Sequence, residues 1–288
     1  MTPRARAILD LVRVPNLFTA AADSIAGYFL AGGSMDKSGT WALVGTASML
    51  LYAGGVALND VCDVSKDAGE RPHRPIPSGA ITRGGALKLA TFLLIFGTGI
   101  ASGISIASGA TALLLVISIV AYDAVLKPYA VAPLLMGLCR ALNLALGVQA
   151  AGEHPFDYWI ALGVLLLYVA SLTFFARHEA SISRRLHLVA GLMGMVSAAL
   201  GTALVARDDR HPAWFVGVIG LVIIITWSGR AVLRDPGSSA VQGAVKRLVL
   251  CIVGIDTLFA ASVGWWQGLI VLSLVVPAAW LANRHTVT

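Results

Sequence analysis

Charge is what this sequence has least of: of 288 residues only 12% are Asp, Glu, Lys or Arg, and the acids number 15. A soluble domain of this size cannot be covered by so few charges, because a water-facing surface needs polar side chains that the chain does not contain. Cysteine is scarce as well. Cys62, Cys139 and Cys251 fall in or beside apolar runs with no paired spacing, which excludes a disulfide framework and a zinc site and leaves them as small core residues. Basic clusters suited to nucleic acid are also missing, so the net charge of +6 needs another explanation.

In place of charge there is hydrocarbon: 57% of residues are hydrophobic and the mean hydropathy is +0.80. Apolar runs long enough to cross a bilayer recur along the whole length, at approximately 15–33, 41–58, 86–106, 109–126, 131–150, 158–176, 188–206, 213–230, 246–263 and 265–283. They predict an all-α, polytopic membrane protein in a single domain spanning 1–288. The first run follows Arg4, Arg6, Asp10 and Arg13 without a small-residue cleavage pattern, so it is expected to be retained. Lys and Arg concentrate in alternate connections, which places the N-terminus and two long polar loops on the cytoplasmic side of an inner or plasma membrane. Those loops lie four spans apart, the spacing of two parallel units at about 15–126 and 131–230 around a central cavity. Whether the apolar segment from Trp265 makes a tenth span beyond nine is open at this level.

Against this background, N-D-V-C-D-V-S-K-D from Asn59 to Asp67 is the anomaly. In a soluble protein it would pass for a solvated helix end. Here three of the 15 acids fall within eight positions, and spacings of three and four put Asp60, Asp63 and Asp67 on one face if the segment stays helical. Three like charges so stacked ask for a divalent cation. R-P-H-R-P-I-P-S-G follows from Arg71 to Gly79, where Pro72, Pro75 and Pro77 are expected to end the helix and hold an extended, stiff segment that fixes Arg71 and Arg74 near the acids. Carboxylates suit Mg²⁺ and guanidinium forks suit phosphate oxygens, so the pair of motifs implies a diphosphate site.

Taken together, N-D-x-x-D-x-x-x-D at Asn59 to Asp67, R-P-x-R-P-I-P-S-G, and Tyr-x-x-x-x-Lys at Tyr122 to Lys127 resemble the UbiA superfamily of intramembrane prenyltransferases. That resemblance implies a bundle of nine core helices around a central cavity and transfer of a prenyl group from an isoprenoid diphosphate to a small or lipid-like acceptor. By it Asp60, Asp63 and Asp67 bind Mg²⁺ with Asn59 assisting, and Arg71, Arg74 and Lys127 neutralise the leaving diphosphate, with Tyr122 beside the substrate. The second acidic motif of the family, D-x-x-x-D after span six, is replaced here by Arg177, His178, Glu179 and Ser183, a form resembling the UbiA-like proteins of Ebo-type operons. Glu179 is expected to complete the inner mouth, Arg177 to bind diphosphate, and His178 is a conceivable general base. Cyclisation of the prenyl diphosphate, and a noncatalytic carrier or transporter of an anionic lipid, are the competing readings.

Polar residues inside spans are costly in lipid and face a cavity or one another. Asn16 and Asp23 in span one, Arg140 and Asn143 in span five, and Asp256 in span nine therefore either line the substrate cavity or form a structural pair, Asp23–Arg140 or Asp256–Arg140. Trp159, Trp214, Trp227, Trp265, Trp266 and Trp280 sit near span ends, as in interfacial belts.

Overall fold

A computed structural model describes residues 2–152, 157–176, 185–205, 212–234 and 237–282. The described residues are helical throughout, joined by turns. The elements are α1 (Pro3–Leu11), α2 (Val14–Leu30), α3 (Ser38–Cys62), α4 (Val64–Glu70), α5 (Arg83–Ile104), α6 (Ile106–Ala121), α7 (Ala132–Ala151), α8 (Asp157–Ala176), α9 (Arg185–Gly201), α10 (Pro212–Arg234), α11 (Ser238–Ala261), α12 (Trp265–Ser273) and α13 (Val275–Ala282). A π-helical turn, Tyr122–Leu126, prolongs α6. Among the described residues seven of these helices are long and apolar enough to cross a membrane.

The bundle is built around α2, which packs against α3, α7, α11, α12 and α13 and is buried along nearly its whole length. Its small residues allow this. Lipid tails are as apolar as leucine, so helices in a bilayer associate through close van der Waals contact and interhelical hydrogen bonds. The crossing of α2 with α7 is close. A Cβ at Gly147 would collide with the Ser24 carbonyl oxygen, and one at Gly27 with that of Leu144, so glycine on both helices sets their spacing. Across the other face of α2, Ser48 donates to the Ala20 carbonyl at 2.6 Å and ties α3 to the centre. Outward faces carry bare hydrocarbon instead: Phe92, Ile95 and Phe96 on α5, Leu113, Leu114 and Ile117 on α6, and Val216, Ile219 and Ile223 on α10 are all exposed. Such a surface fits a lipid environment.

Three expectations change. The segment from Trp265 is broken into α12 and α13, because Pro277 lacks an N–H and its ring displaces the carbonyl of Ser273, the last residue of α12. Trp214 is buried, with Nε1 donating to the Leu258 carbonyl at 3.1 Å, and so is a core residue; the other five tryptophans named above are exposed. Cys62 is exposed and is not a core residue.

Candidate active site

The acidic motif sits where α3 gives way to α4. Helical bonds continue through the joint, from Asp63 N–H to the Asn59 carbonyl and from Asp67 N–H to the Asp63 carbonyl, each at 2.9 Å. Its three acids nevertheless split. Asp60 and Asp67, two turns apart and each under 5% exposed, both accept from Nη1 of Arg74, at 3.2 and 2.7 Å. Asp63, the hinge residue, turns to Lys127. No three His, Cys, Asp or Glu side chains among the described residues converge as a ready metal cage. The expected single stack is thus two ion-paired sets.

Arg74 reaches the acids by a route different from the expected extended segment. Residues 71–81 coil through successive turns, with backbone bonds from Arg74 to Arg71, Ser78 to Arg74, Gly79 to Ile76 and Ile81 to Pro75. The prolines do end α4, and Gly79, at φ +78°, adopts the left-handed conformation that a side chain would resist. The coil buries Arg74 and leaves Arg71 half-buried at the end of α4.

Tyr122 and Lys127 are five residues apart, a spacing that an α-helix would place on different faces. The π-turn corrects this through the bond from Lys127 N–H to the Tyr122 carbonyl at 3.0 Å. The Lys127 ammonium then lies 5.9 Å from the centre of the Tyr122 ring.

Two residues enter the site without having been singled out from the sequence. Asp123 accepts from Asn59 Nδ2 at 2.7 Å, which joins the acidic motif to the π-turn. Arg13, at the joint of α1 and α2, donates through Nη2 to Asp60 at 3.0 Å. Its backbone is left-handed at φ 50°, the one non-glycine of this kind among the described residues. Conformations of that sort cost on the order of 1 kcal/mol or more and cluster at functional sites. Both signals were in the sequence: an acid inside Y-D-A-V-L-K, and an arginine two positions ahead of Pro15.

Above these groups opens a cavity of about 150 Å³. It is lined by the polar Arg13, Asn59, Tyr122 and Asp123, by the apolar Leu115, Ile119, Val56 and Met136, and by Tyr52, Arg140 and Asn143. Beside it a second, polar cavity of about 160 Å³ is lined by Arg6, Asp10, Arg13, Asp60, His73 and Arg74, so Arg13 borders both. Of the span residues, Arg140 and Asn143 line the cavity, and both pair with Asp23, which is fully buried behind them. Asp23 pairs with Arg140 at 2.8 Å, Asn143 donates to Asp23 at 2.9 Å and to the Ala20 carbonyl at 2.8 Å, and Arg140 stacks 5.1 Å from the Tyr52 ring centre. Asn16 is buried in the same helix. Arg177, His178 and Glu179 lie outside the described residues.

The profile of the UbiA prenyltransferase family matches residues 20–242. The chain belongs to this family. A digeranylgeranylglyceryl phosphate synthase of Methanothrix thermoacetophila is 38% identical over 125 residues, a match that spans 43% of this chain and about half, 47%, of that relative. The synthase of the same name from Haloquadratum walsbyi is 26% identical over 229 residues, covering 75% of this chain and 78% of the relative. Among solved structures, a UbiA homolog from Aeropyrum pernix K1 superposes with a TM-score of 0.71 at 15% identity over 89% of this chain and 98% of that one. A homolog from Archaeoglobus fulgidus bound to GPP and Mg²⁺ gives 0.65 at 13% identity over 93% and 99%. These likenesses establish a UbiA fold.

The donor set fits the hard cation that accompanies that fold. Asn59, Asp60, Asp63 and Asp67 offer oxygen only, the ligand type that Mg²⁺ takes, and each acid is already balanced by a cation that a diphosphate can share.

Proposed function

We propose that this protein transfers a prenyl group from an isoprenoid diphosphate to a small or lipid-like acceptor within the membrane, with Mg²⁺ held by Asp60, Asp63 and Asp67. The observation that carries the reading is the interlocking of these acids with Arg13, Arg74 and Lys127 beside an apolar cavity. Mg²⁺, when bound, supplies charge neutralisation at the diphosphate.

The chain's own residues account for the remainder. Breaking an allylic carbon–oxygen bond leaves negative charge on diphosphate, and Arg74, Lys127 and Arg13 are fixed cations placed where that charge develops. Because their positions are set by ion pairs, little reorganisation is needed at that moment. The allylic cation would be shielded from water by Leu115, Ile119, Val56 and Met136, with the Tyr52 and Tyr122 side chains lining the same cavity. Acceptor attack on the first prenyl carbon, with the acceptor's proton passing to the released diphosphate or to water at the mouth, completes the transfer. The family relatives named as digeranylgeranylglyceryl phosphate synthases support a lipid-like acceptor. Glu179, with Arg177 and His178, we assign to the inner mouth, on the cytoplasmic side that the basic loops favour.

Purified protein in nanodiscs, incubated with geranyl, farnesyl or geranylgeranyl diphosphate and membrane extract, should release diphosphate only when Mg²⁺ is present. Asp63→Ala should abolish release while leaving the thermal transition near that of the wild type. Full activity in that variant, or tight binding of every donor without turnover, overturns the enzymatic reading; the second result makes the protein a diphosphate-lipid carrier.

A further inference from the structure

Four buried acceptor atoms without a hydrogen-bond partner among the described residues gather where α2, α7 and α11 meet: Oδ1 of Asp23, Oδ1 of Asn143 and both carboxylate oxygens of Asp256. Asp23 and Asp256 are 0% exposed and face each other. Asn143 cannot be turned to supply a donor, because its Nδ2 already serves the Ala20 carbonyl and Asp23 Oδ2, both of which only accept. Arg140 is committed to Asp23 Oδ2 and Thr19. The charged groups facing Asp256 are Asp23 and Arg140. With both acids ionised, the junction would hold two negative charges against one positive, two carboxylates in contact, and no donor for any of the four orphans. Burial without a partner is among the most costly arrangements available to a carboxylate, and a shared proton relieves it.

We infer that the α2/α7/α11 junction is a proton-binding site in which Asp256 is a neutral acid donating its O–H to Asp23. The proton converts two opposed acceptors into one bond, and it sets the junction to zero net charge: Asp23 negative, Arg140 positive, Asp256 neutral. That neutrality reaches the substrate cavity, since Arg140 and Asn143 form part of its wall. Resting on the assignment of that cavity to the prenyl group, Asp256 is then a positioning residue. It holds Asp23, which holds Arg140 over the Tyr52 ring, and the lining beside the allylic cation carries no surplus anion to draw it away from the acceptor.

Infrared spectroscopy of the protein in nanodiscs at neutral pH reads the proton directly and needs no substrate. Wild type labelled with ¹³C-aspartate should show a C=O stretch of a protonated aspartic acid that is lost in Asp256→Asn. The same band should be lost in Asp23→Asn, where Asp256 remains but becomes the sole counter-ion of Arg140 and ionises; this variant serves if Asp256→Asn does not fold. Asp256→Leu, which has no O–H to hold Asp23, should raise the KM for the prenyl diphosphate severalfold, and Asp256→Asn, neutral and still a donor, should recover it. A wild-type spectrum without the band, a band that survives both substitutions, or a thermal transition raised by Na⁺ and not by choline overturns the inference, the last in favour of a bound sodium ion. A wild-type KM in Asp256→Leu, with the band behaving as expected, removes the positioning role and leaves the proton site. If turnover is absent in every protein, the prenyltransferase reading fails while the band still decides the proton.

Discussion

Removing Arg74 tests the electrostatic frame of the site most severely. One nitrogen, Nη1, holds Asp60 at 3.2 Å and Asp67 at 2.7 Å, and all three side chains are under 10% exposed. In Arg74→Met, Asp60 keeps Arg13 at 3.0 Å, so Asp67 is the group left buried and unpaired. Breaking a buried pair by removing one partner costs about 3–5 kcal/mol, and with Asp60 still compensated the lower end applies, about 3 kcal/mol. For a chain of this length that corresponds to a fall of roughly 6–12 °C in the thermal transition, at about 2–4 °C per kcal/mol. The assay is thermal unfolding in nanodiscs with EDTA and then with Mg²⁺. A ligand that binds only the folded state at a hundred times its Kd contributes about 2.7 kcal/mol, so Mg²⁺ should recover most of the loss in the variant. The gain in wild type should be smaller, because there the metal competes with an arginine already in place. Since a single nitrogen carries both bonds, Arg74→Lys should fall between the two. An Arg74→Met protein that unfolds with the wild type would show that the acids do not depend on Arg74, equal Mg²⁺ shifts would show that metal and Arg74 do not compete for them, and no shift in either would show that they do not bind metal.

Lys127→Met should lower diphosphate release by about 10²–10³, the loss usual for one fixed stabiliser of a developing anion. Its effect on stability should stay within about 1 kcal/mol, because the Lys127 side chain is 26% exposed and the Asp63 pair is partly solvated; a variant that unfolds but retains turnover would reverse that ordering. Gly147→Ala should cost about 1–3 kcal/mol as an overpacked contact, since its methyl meets the Ser24 carbonyl, whereas Gly99→Ala meets nothing within 4 Å. Equal thermal transitions for these two alanine variants would mean that α2 and α7 are free to move apart.

Apolar runs predicted the helices well because a bilayer imposes length and hydrophobicity together, and apart from the broken last run the differences lie at helix ends. The run read as 41–58 extends to Ser38–Cys62 and so carries Asn59 and Asp60 in its last turn. The run read as 246–263 begins at Ser238, where Lys246 and Arg247 mask the apolar pattern that continues on their helix. Pro277 marked the break in the last run, and the run's composition outweighed it.

The candidate site was legible in its members and less so in its pairings, for a physical reason. Helical spacing fixes which side chains leave the backbone on one side, but not which countercharge meets them. Asp60, Asp63 and Asp67 keep the expected spacing, yet Asp63 pairs with a lysine 64 positions on and Asp60 with an arginine 47 positions back. Such pairings depend on the α3–α4 joint and on a π-turn, and the second has a trace in the sequence: Tyr-x-x-x-x-Lys makes sense as a functional pair only if the helix gains one residue per turn there. Read in that way, a five-residue spacing between two site residues at the end of a span is itself evidence for a π-turn, and it draws attention to Asp123 inside it, although only the packing of α3 on α6 supplies its partner Asn59. Asp256 follows the same logic from the other direction. Two acids and one arginine in separate spans leave one negative charge without a partner, a surplus that counts for little until the α2/α7/α11 junction brings Asp256 to Asp23, where we infer the proton sits.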